Sequence, residues 1–229
     1  MSRSFDLLSL GEVLLRLSPP SNERLVRGET LQKQVGGAEL NVVSGVSLLG
    51  LRTGIISFDV NFRGNLWTVD EARECIEQIL PYVDIFFCSE ETARLTFLKT
   101  GEAKEIMKSF TKDYPISIVA STQRIVHSPK VHTFGSIIYD ARSDKYYEEE
   151  PYHNIEVVDR IGSGDAYVSG VLYGLLSDYE NCQRALEIGN ATSAVKNTIP
   201  GDLPSSDLKE IENVIRGHKA VGPQLEMNR

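Results

Sequence analysis

The chain has 229 residues, of which 41% are hydrophobic, and this is enough to bury a sizeable core, so we expect one domain over residues 1–229. Its formal net charge of -8 argues against nucleic acid and anionic membranes as main partners, because an acidic surface is repelled by both. A small-molecule ligand fits this charge better.

The cysteine pattern and the N-terminus predict the compartment. Cys75, Cys88 and Cys182 lie far apart and have neither disulfide-framework nor metal-ligand spacing, so we expect reduced thiols. The first residues lack the uninterrupted apolar stretch of a signal peptide, and no apolar run reaches membrane-spanning length. The sequence therefore predicts a soluble cytoplasmic protein without a membrane partner, and it leaves homo-oligomerisation open.

Strands and helices alternate over the first half of the chain. The helix that follows Gly36 and Gly37 is predicted from the spacing of its apolar residues, which extend to Leu49 before Gly50. The other predicted elements are strands at Phe5–Leu10, Val13–Leu17, Gly54–Asp59, Val83–Cys88 and Ile116–Ala120, and helices at Asp70–Leu80 and Glu90–Phe97.

The second half is first β-rich and then helical. Ser136–Asp140 and Lys145–Glu149 read as antiparallel strands around a short turn. Helices are predicted after Asp165, at Tyr179–Lys196 and at Ser206–Arg216, with Ser206 as the cap of the last. This order predicts an α/β fold, a three-layer α/β/α sandwich on a largely parallel sheet.

Three polar residues alternate where the strand Gly54–Asp59 ends. Asp59, Asn61 and Arg63 would share one face if the strand continued through them. Ligands of open α/β sheets bind at the carboxyl ends of the strands, so this face is a candidate binding surface. The alternative is an exposed strand end with a solvated arginine.

The segment VDRIGSGDAYVSGVLYGLL joins a tight turn to a helix. Gly162, Ser163 and Gly164 form the turn, and apolar residues recur at helical spacing after Asp165. Free N–H groups at a helix N-terminus favour an anion such as phosphate. From these residues alone, Asp165 either caps the helix or takes part in catalysis.

Four segments, in this order, resemble the ribokinase-type (PfkB) carbohydrate kinases, and 2-keto-3-deoxygluconate kinases in particular. They are GGAELNVVSGVSLLGLRTG, DVNFRGNLW, VDRIGSGDAYVSGVLYGLL and NATSAVKNTIPGD. The resemblance implies a ribokinase-like fold and ATP-dependent phosphorylation of a keto-sugar acid. It implies that Asp165 is the general base and that Gly162, Ser163 and Gly164 form the anion hole.

The same resemblance assigns the binding residues. Gly37, Ala38 and Asn41 would contact the sugar, and Arg63 would pair with the substrate carboxylate or a phosphate. Mg²⁺ would be held mainly by phosphates and water. The nucleotide side would comprise Asn61, Arg63, Arg124, Gly162, Gly164 and Asn190, with Asp202 as a weaker candidate for the substrate or ion-binding edge.

Two departures from the family pattern stand out. Ser89 and Thr92 lie where the family has an Asn-x-x-Glu motif that organises Mg²⁺ through water, and Glu90 or Glu91 would have to substitute. Between Ile56 and Phe58 the chain lacks several elements of the family, including much of the β lid and part of the sheet. A natural deletion, a partial gene model and a sequence joined across a gap each explain this junction.

Two other functions stay open on the sequence. A remnant that binds nucleotide but lacks a sugar pocket would keep the anion hole. A kinase for another sugar, such as fructose, is disfavoured by the sequence motif GGAELN.

Overall fold

The computed structural model describes residues 14–18, 32–36, 42, 46, 49, 57–60 and 68–220. Strand β1 (Leu14–Ser18) pairs antiparallel with β2 (Gln32–Gly36) in a separate two-stranded sheet. The strand predicted at Val13–Leu17 is thereby confirmed, whereas the strand predicted at Phe5–Leu10 lies outside the described residues. Val42 and Val46 are helical, as predicted, and Val46 and Leu49 are buried in the core.

The larger sheet combines a parallel part with an antiparallel part. Its first three strands run parallel, and the strands that follow run antiparallel to their neighbours, with the last two both paired to the same strand. The strands are β3 (Ser57–Asp59), β4 (Ile85–Phe87), β5 (Ile118–Ser128), β6 (Val131–Asp140), β7 (Lys145–Glu148) and β8 (Tyr152–Glu156).

Helices cover both faces of this sheet. Within residues 68–220, one group precedes β5 in the chain and the other follows β8. The helices are α1 (Val69–Ile79), α2 (Glu90–Phe97), α3 (Ala103–Asp113), α4 (Ser163–Ser177), α5 (Cys182–Asn197) and α6 (Leu208–Ala220).

Alternation along the buried strands separates two cores. In β4, Ile85 and Phe87 pack in the core formed with α4, α5 and α6, whereas Phe86 lies in the core formed with α1, α2 and α3. Successive side chains of a strand point to opposite faces, so one apolar strand supplies both cores. The predicted three-layer α/β/α architecture is therefore confirmed, with a sheet that is parallel from β3 to β5.

Several elements differ from the sequence prediction. Helix α3 was not predicted, although Glu102 and Glu105 form a capping box at its start. Strand β5 continues well beyond Ala120, and β8 was not predicted. The cap of α6 is Asp207 rather than Ser206, because the Asp207 carboxylate accepts the amide N–H of Glu210 at 2.8 Å.

None of the helices in the described part of the chain combines the length and apolarity that crossing a bilayer requires.

Candidate active site

A cavity lies where the parallel strands end and helix α4 begins. Its volume is about 170 Å³. The carboxyl ends of β3 and β4, and the point on β5 where its parallel pairing with β4 ends, meet the first turns of α4 there. This is the position where open α/β sheets bind ligands. The cavity is lined by Asp59, Val60, Phe87, Cys88, Ser89, Ala120, Thr122, Gly164, Tyr167 and Val168.

A second hollow, of about 860 Å³, lies between the β7–β8 connection and helices α5 and α6. Tyr152 and His218 stack there with ring centroids 3.8 Å apart. This hollow is larger, but neither the ends of the parallel strands nor the start of α4 contribute to it. We therefore assign the candidate active site to the smaller cavity.

Gly162 sets the direction in which α4 starts. It is the cap residue of the helix and has a φ of 77°, in the left-handed region. A Cβ atom at this position would lie 1.9 Å from the carbonyl oxygen of Asp202. Both the backbone conformation and the close approach therefore require glycine, as the sequence predicted for this turn.

Gly164 and Asp165 lie in the first turn of α4. A Cβ atom at Gly164 would meet no atom of the described residues within 4 Å, so open space faces this position. Asp165 is half-buried and is the acidic residue of the first turn. The first-turn N–H groups, the adjacent cavity and the acid thus form one arrangement that suits an anion and a proton acceptor.

A positive cluster lies beside this turn. Arg124 is exposed on β5, and partial burial together with the charge of Arg160 lowers the pKa of Arg124, against the opposing effect of Glu91. Burial, Arg124 and Arg160 also lower the pKa of His132, which favours its neutral form. Two guanidinium groups whose charges act on each other, next to a turn that suits an anion, favour phosphate groups.

Ser89 and Thr92 act as the N-terminal cap of α2. The Ser89 hydroxyl accepts the Thr92 N–H at 3.1 Å and donates to the Thr92 hydroxyl at 2.9 Å. Glu90 pairs with Arg94 at 2.6 Å. Glu91 is the one of the two acids that interacts electrostatically with Arg124, and so lies toward the positive cluster.

Asn190 is fully buried within α5. Its amide donates to Glu149 at 2.7 Å and its carbonyl oxygen accepts the Ser136 hydroxyl at 2.7 Å. These bonds tie α5 to β6 and to the end of β7. Asn190 is not among the residues that line the cavity.

The remaining predicted residues are only partly described. Asp59 ends β3 and lines the cavity. Asp202 is buried against Gly162. The predicted sugar and nucleotide residues Gly37, Ala38, Asn41, Asn61 and Arg63 lie outside the described residues.

Sequence reasoning missed several residues of the cavity wall. Thr122 lies on the part of β5 that was not predicted. Tyr167 is fully buried and packs its ring edge-on against Phe87 and Phe134, with centroids 6.1 and 5.8 Å apart. The helical spacing of α4 predicted that Val168 is buried, but it did not show which neighbours Tyr167 meets.

The reactivity of the three cysteines tests whether Cys88 is buried in the cavity wall. Burial, followed by the charge of Asp59, raises the pKa of the Cys88 thiol, and burial raises the pKa of Cys182 to about 11. Because the thiolate is the reactive form, we expect iodoacetamide at pH 8 to modify exposed Cys75 and to spare the other two in the native protein. Peptide mass spectrometry measures this, with urea-unfolded protein as the control in which all three react. Equal rates at Cys88 and Cys75 in the native protein would contradict the cavity wall described above.

Fold and site together define a ribokinase-like α/β protein in which a helix N-terminus faces a cavity at the ends of parallel strands. Residues 54–207 match the model of the pfkB family carbohydrate kinases, and the chain belongs to this family.

Two curated relatives and one solved structure show the range of the similarity. The chain is 32% identical over 164 residues to a 2-dehydro-3-deoxygalactonokinase of Haloferax volcanii, covering 72% of this chain and 48% of that protein. It is 28% identical over 161 residues to a fructokinase of Escherichia coli, covering 66% and 47%. The structure of a 2-dehydro-3-deoxygluconokinase of Thermotoga maritima superposes with a TM-score of 0.84 at 20% identity, over 90% of this chain and 97% of that one. The chain thus spans about half the length of the curated relatives it matches.

Proposed function

We propose that this chain is an ATP-dependent sugar kinase that phosphorylates 2-keto-3-deoxygluconate or a similar keto-sugar acid. The observation that carries the proposal is the turn Gly162–Gly164 at the start of α4, in which Gly164 lines the cavity at the strand ends and Asp165 follows in the first helical turn. The relatives named as kinases of 2-dehydro-3-deoxy sugars support the substrate class.

The proposed chemistry is a single phosphoryl transfer. The Asp165 carboxylate takes the proton of a sugar hydroxyl, whose oxygen attacks the γ-phosphorus while the bond to ADP breaks. The N–H groups of Gly162, Ser163 and Gly164 donate to the oxygens of the transferring group, whose charge the helix N-terminus also stabilises. In the structure the Ser163 N–H donates to the Arg160 carbonyl oxygen at 3.2 Å, so it would exchange that partner for the phosphate. Catalysis then depends mainly on the position of the loop relative to Asp165.

The nucleotide would lie along the positive cluster. Arg124 and Arg160 carry the charge that suits the ATP phosphates, and the negative charge of Glu91 partly offsets the effect of Arg160 on Arg124. Mg²⁺, when bound, neutralises phosphate charge. We propose that it binds mainly through phosphate oxygens and water, with Glu90 or Glu91 acting through water, because Mg²⁺ at nucleotide sites usually keeps several water ligands.

The sugar would be bound by residues of the first sixty or so positions of the chain. We propose Gly37, Ala38 and Asn41 for its hydroxyl groups and Arg63 for its carboxylate, since a guanidinium pairs with a carboxylate through two parallel bonds. We also propose Asn61 and Asn190 as nucleotide-site residues. Asn190 would act indirectly, because its hydrogen bonds hold α5 against β6 and the end of β7. The similarity to a fructokinase makes fructose the second candidate substrate.

The compartment, the partners and the lid of the enzyme are also part of the proposal. We infer a cytoplasmic enzyme whose partners are ATP and a sugar acid rather than nucleic acid or a membrane. We also propose that the junction between Ile56 and Phe58 lacks elements that the longer relatives have, so that the lid is reduced to the β1–β2 sheet.

Ligand-induced stabilisation distinguishes the kinase from a remnant that binds nucleotide alone. We expect ATP with Mg²⁺, and separately 2-keto-3-deoxygluconate, to raise Tm, each by an amount that grows with ligand concentration. Differential scanning fluorimetry measures this, with fructose and glucose as comparison sugars and AMP as the nucleotide control. Stabilisation by ATP without any effect of the sugars would support the remnant instead, and stabilisation by fructose alone would support the fructokinase.

A further inference from the structure

Lys196 is a buried charge near the end of α5. Its side chain is 1% exposed. Its ammonium group donates to the main-chain carbonyl oxygen of Ile199 at 3.1 Å and to that of Asp159 at 3.3 Å. Lysine is almost never buried to this extent unless polar groups surround its charge. Such a position therefore calls for a role that an apolar residue would not fill.

The two carbonyl groups belong to different loops. Asp159 precedes the turn Gly162–Gly164, and Ile199 begins the loop that leads to Asp202. The bond to Ile199 alone would be ordinary capping at a helix C-terminus, where lysine side chains often bind the last carbonyls. The bond to Asp159 spans 37 positions of the chain and brings in the loop of the anion hole.

Further bonds join the same two loops. The Asp159 carboxylate accepts the N–H of Ile161 at 3.0 Å and the N–H of Gly201 at 3.2 Å. The carbonyl oxygen of Asn197 accepts the N–H groups of Val158 at 2.8 Å and Asp159 at 3.2 Å. Gly162 itself packs closely against the carbonyl group of Asp202. The turn that would bind phosphate is thus held by the loop after α5, and Lys196 lies between the two.

We propose that Lys196 is a positioning residue for the anion hole, an internal cation that draws the carbonyl groups of both loops together. This inference rests on the proposed kinase function for its effect on catalysis. Carbonyl oxygens that converge on one point repel each other unless a positive charge lies between them. The tethered ammonium supplies that charge permanently, so phosphoryl transfer by the natural chain should need no added monovalent cation.

Truncation of the side chain tests this role. In choline chloride buffer we expect Lys196→Ala to lower kcat about 100-fold, the loss that a misplacement of about 1 Å causes at a positioned site, with KM for the sugar changed less than about threefold. The truncated side chain leaves a space lined by carbonyl oxygens, so methylammonium or K⁺ should restore kcat about tenfold or more. Wild-type kcat should be the same in choline, sodium and potassium salts.

Lys219→Met is the matched control. Lys219 is exposed on α6 and pairs with Glu187 at 2.7 Å, so its loss should leave kcat unchanged and cation-independent. If Lys196→Ala does not fold, Lys196→Gln keeps a donor for the carbonyls without the charge and should show the same fall in kcat. A folded Lys196 variant with wild-type kcat, or a loss that no cation restores, would overturn the inference.

Amide hydrogen exchange separates this inference from the kinase proposal, because it needs no activity. We expect faster exchange at Ile161, Gly162 and Gly201 in the Lys196 variant, with α1 and α3 unchanged. If the wild-type chain phosphorylates no sugar, the kinase proposal fails while exchange still decides the role of Lys196. Unchanged exchange in these loops would overturn it.

Discussion

Asp165→Asn is expected to lower kcat by about 10³-fold, within the range that a positioned general base contributes, while the Kd for ATP changes less than about threefold. Asparagine has nearly the same shape as aspartate but cannot accept the proton of the sugar hydroxyl. It keeps an oxygen that can bond to the first turn of α4, so the helix should still form. Coupled measurement of ADP release gives kcat, and isothermal calorimetry gives the Kd.

Asp178→Asn is the matched control for this substitution. Asp178 is exposed at the opposite end of α4, where its carboxylate accepts the N–H of Glu180 at 3.3 Å. The same chemical change there should leave kcat at the wild-type value. If Asp165→Asn retained about a tenth or more of wild-type turnover, Asp165 would not be the general base and would only stabilise the first turn of α4 as an acidic residue.

Gly162→Ala is expected to destabilise the protein by about 2–4 kcal/mol, because a side chain there is strained by the positive φ and collides with the Asp202 carbonyl. For a chain of this length the loss corresponds to a fall in Tm of about 5–10 °C. Circular dichroism during thermal unfolding measures the shift. Activity should fall with it, because the turn and the loop at Asp202 can no longer pack together.

Gly164→Ala is the contrasting variant in the same turn. Open space faces Gly164, and alanine is favoured over glycine in a helix by about 1 kcal/mol, so this variant should be as stable as the wild type or more so. Its methyl group would nevertheless enter the cavity. We expect kcat to fall about 10–100-fold, because the methyl group would displace the transferring phosphate from its position. Equal stability of Gly162→Ala and wild type would contradict the tight contact with Asp202, and full activity of Gly164→Ala would remove this face of the turn from the phosphate site.

The elements that the sequence predicted are those whose own residues carry the signal. Helix α2 has the predicted bounds, since Ser89 caps it and Phe97 closes its apolar face. Strand β5 was predicted only as far as Ala120 because most of its remainder is exposed and lacks a continuous apolar run, and it is held in the sheet by pairing with β6. Strand β8 likewise depends on β6, a partner that is distant in the sequence.

Some residues of the candidate site could be predicted from the sequence, and others could not. The glycine turn and Asp165 could be predicted because both lie in one short segment whose residue types have direct conformational consequences. Thr122, Cys88 and Tyr167 could not, since they come together only when β4, β5 and α4 pack. The role of Lys196 was also hidden, because in sequence it is one more polar residue on a helix and its contact with Asp159 is tertiary.

Transfer of ³²P from γ-labelled ATP to 2-keto-3-deoxygluconate by the purified 229-residue chain tests the central claim most directly. The account predicts a labelled sugar phosphate that forms with wild-type protein, needs Mg²⁺ and is lost in Asp165→Asn. Absence of labelled product with this acid, with other keto-sugar acids and with fructose, from protein that is folded by circular dichroism, would contradict it.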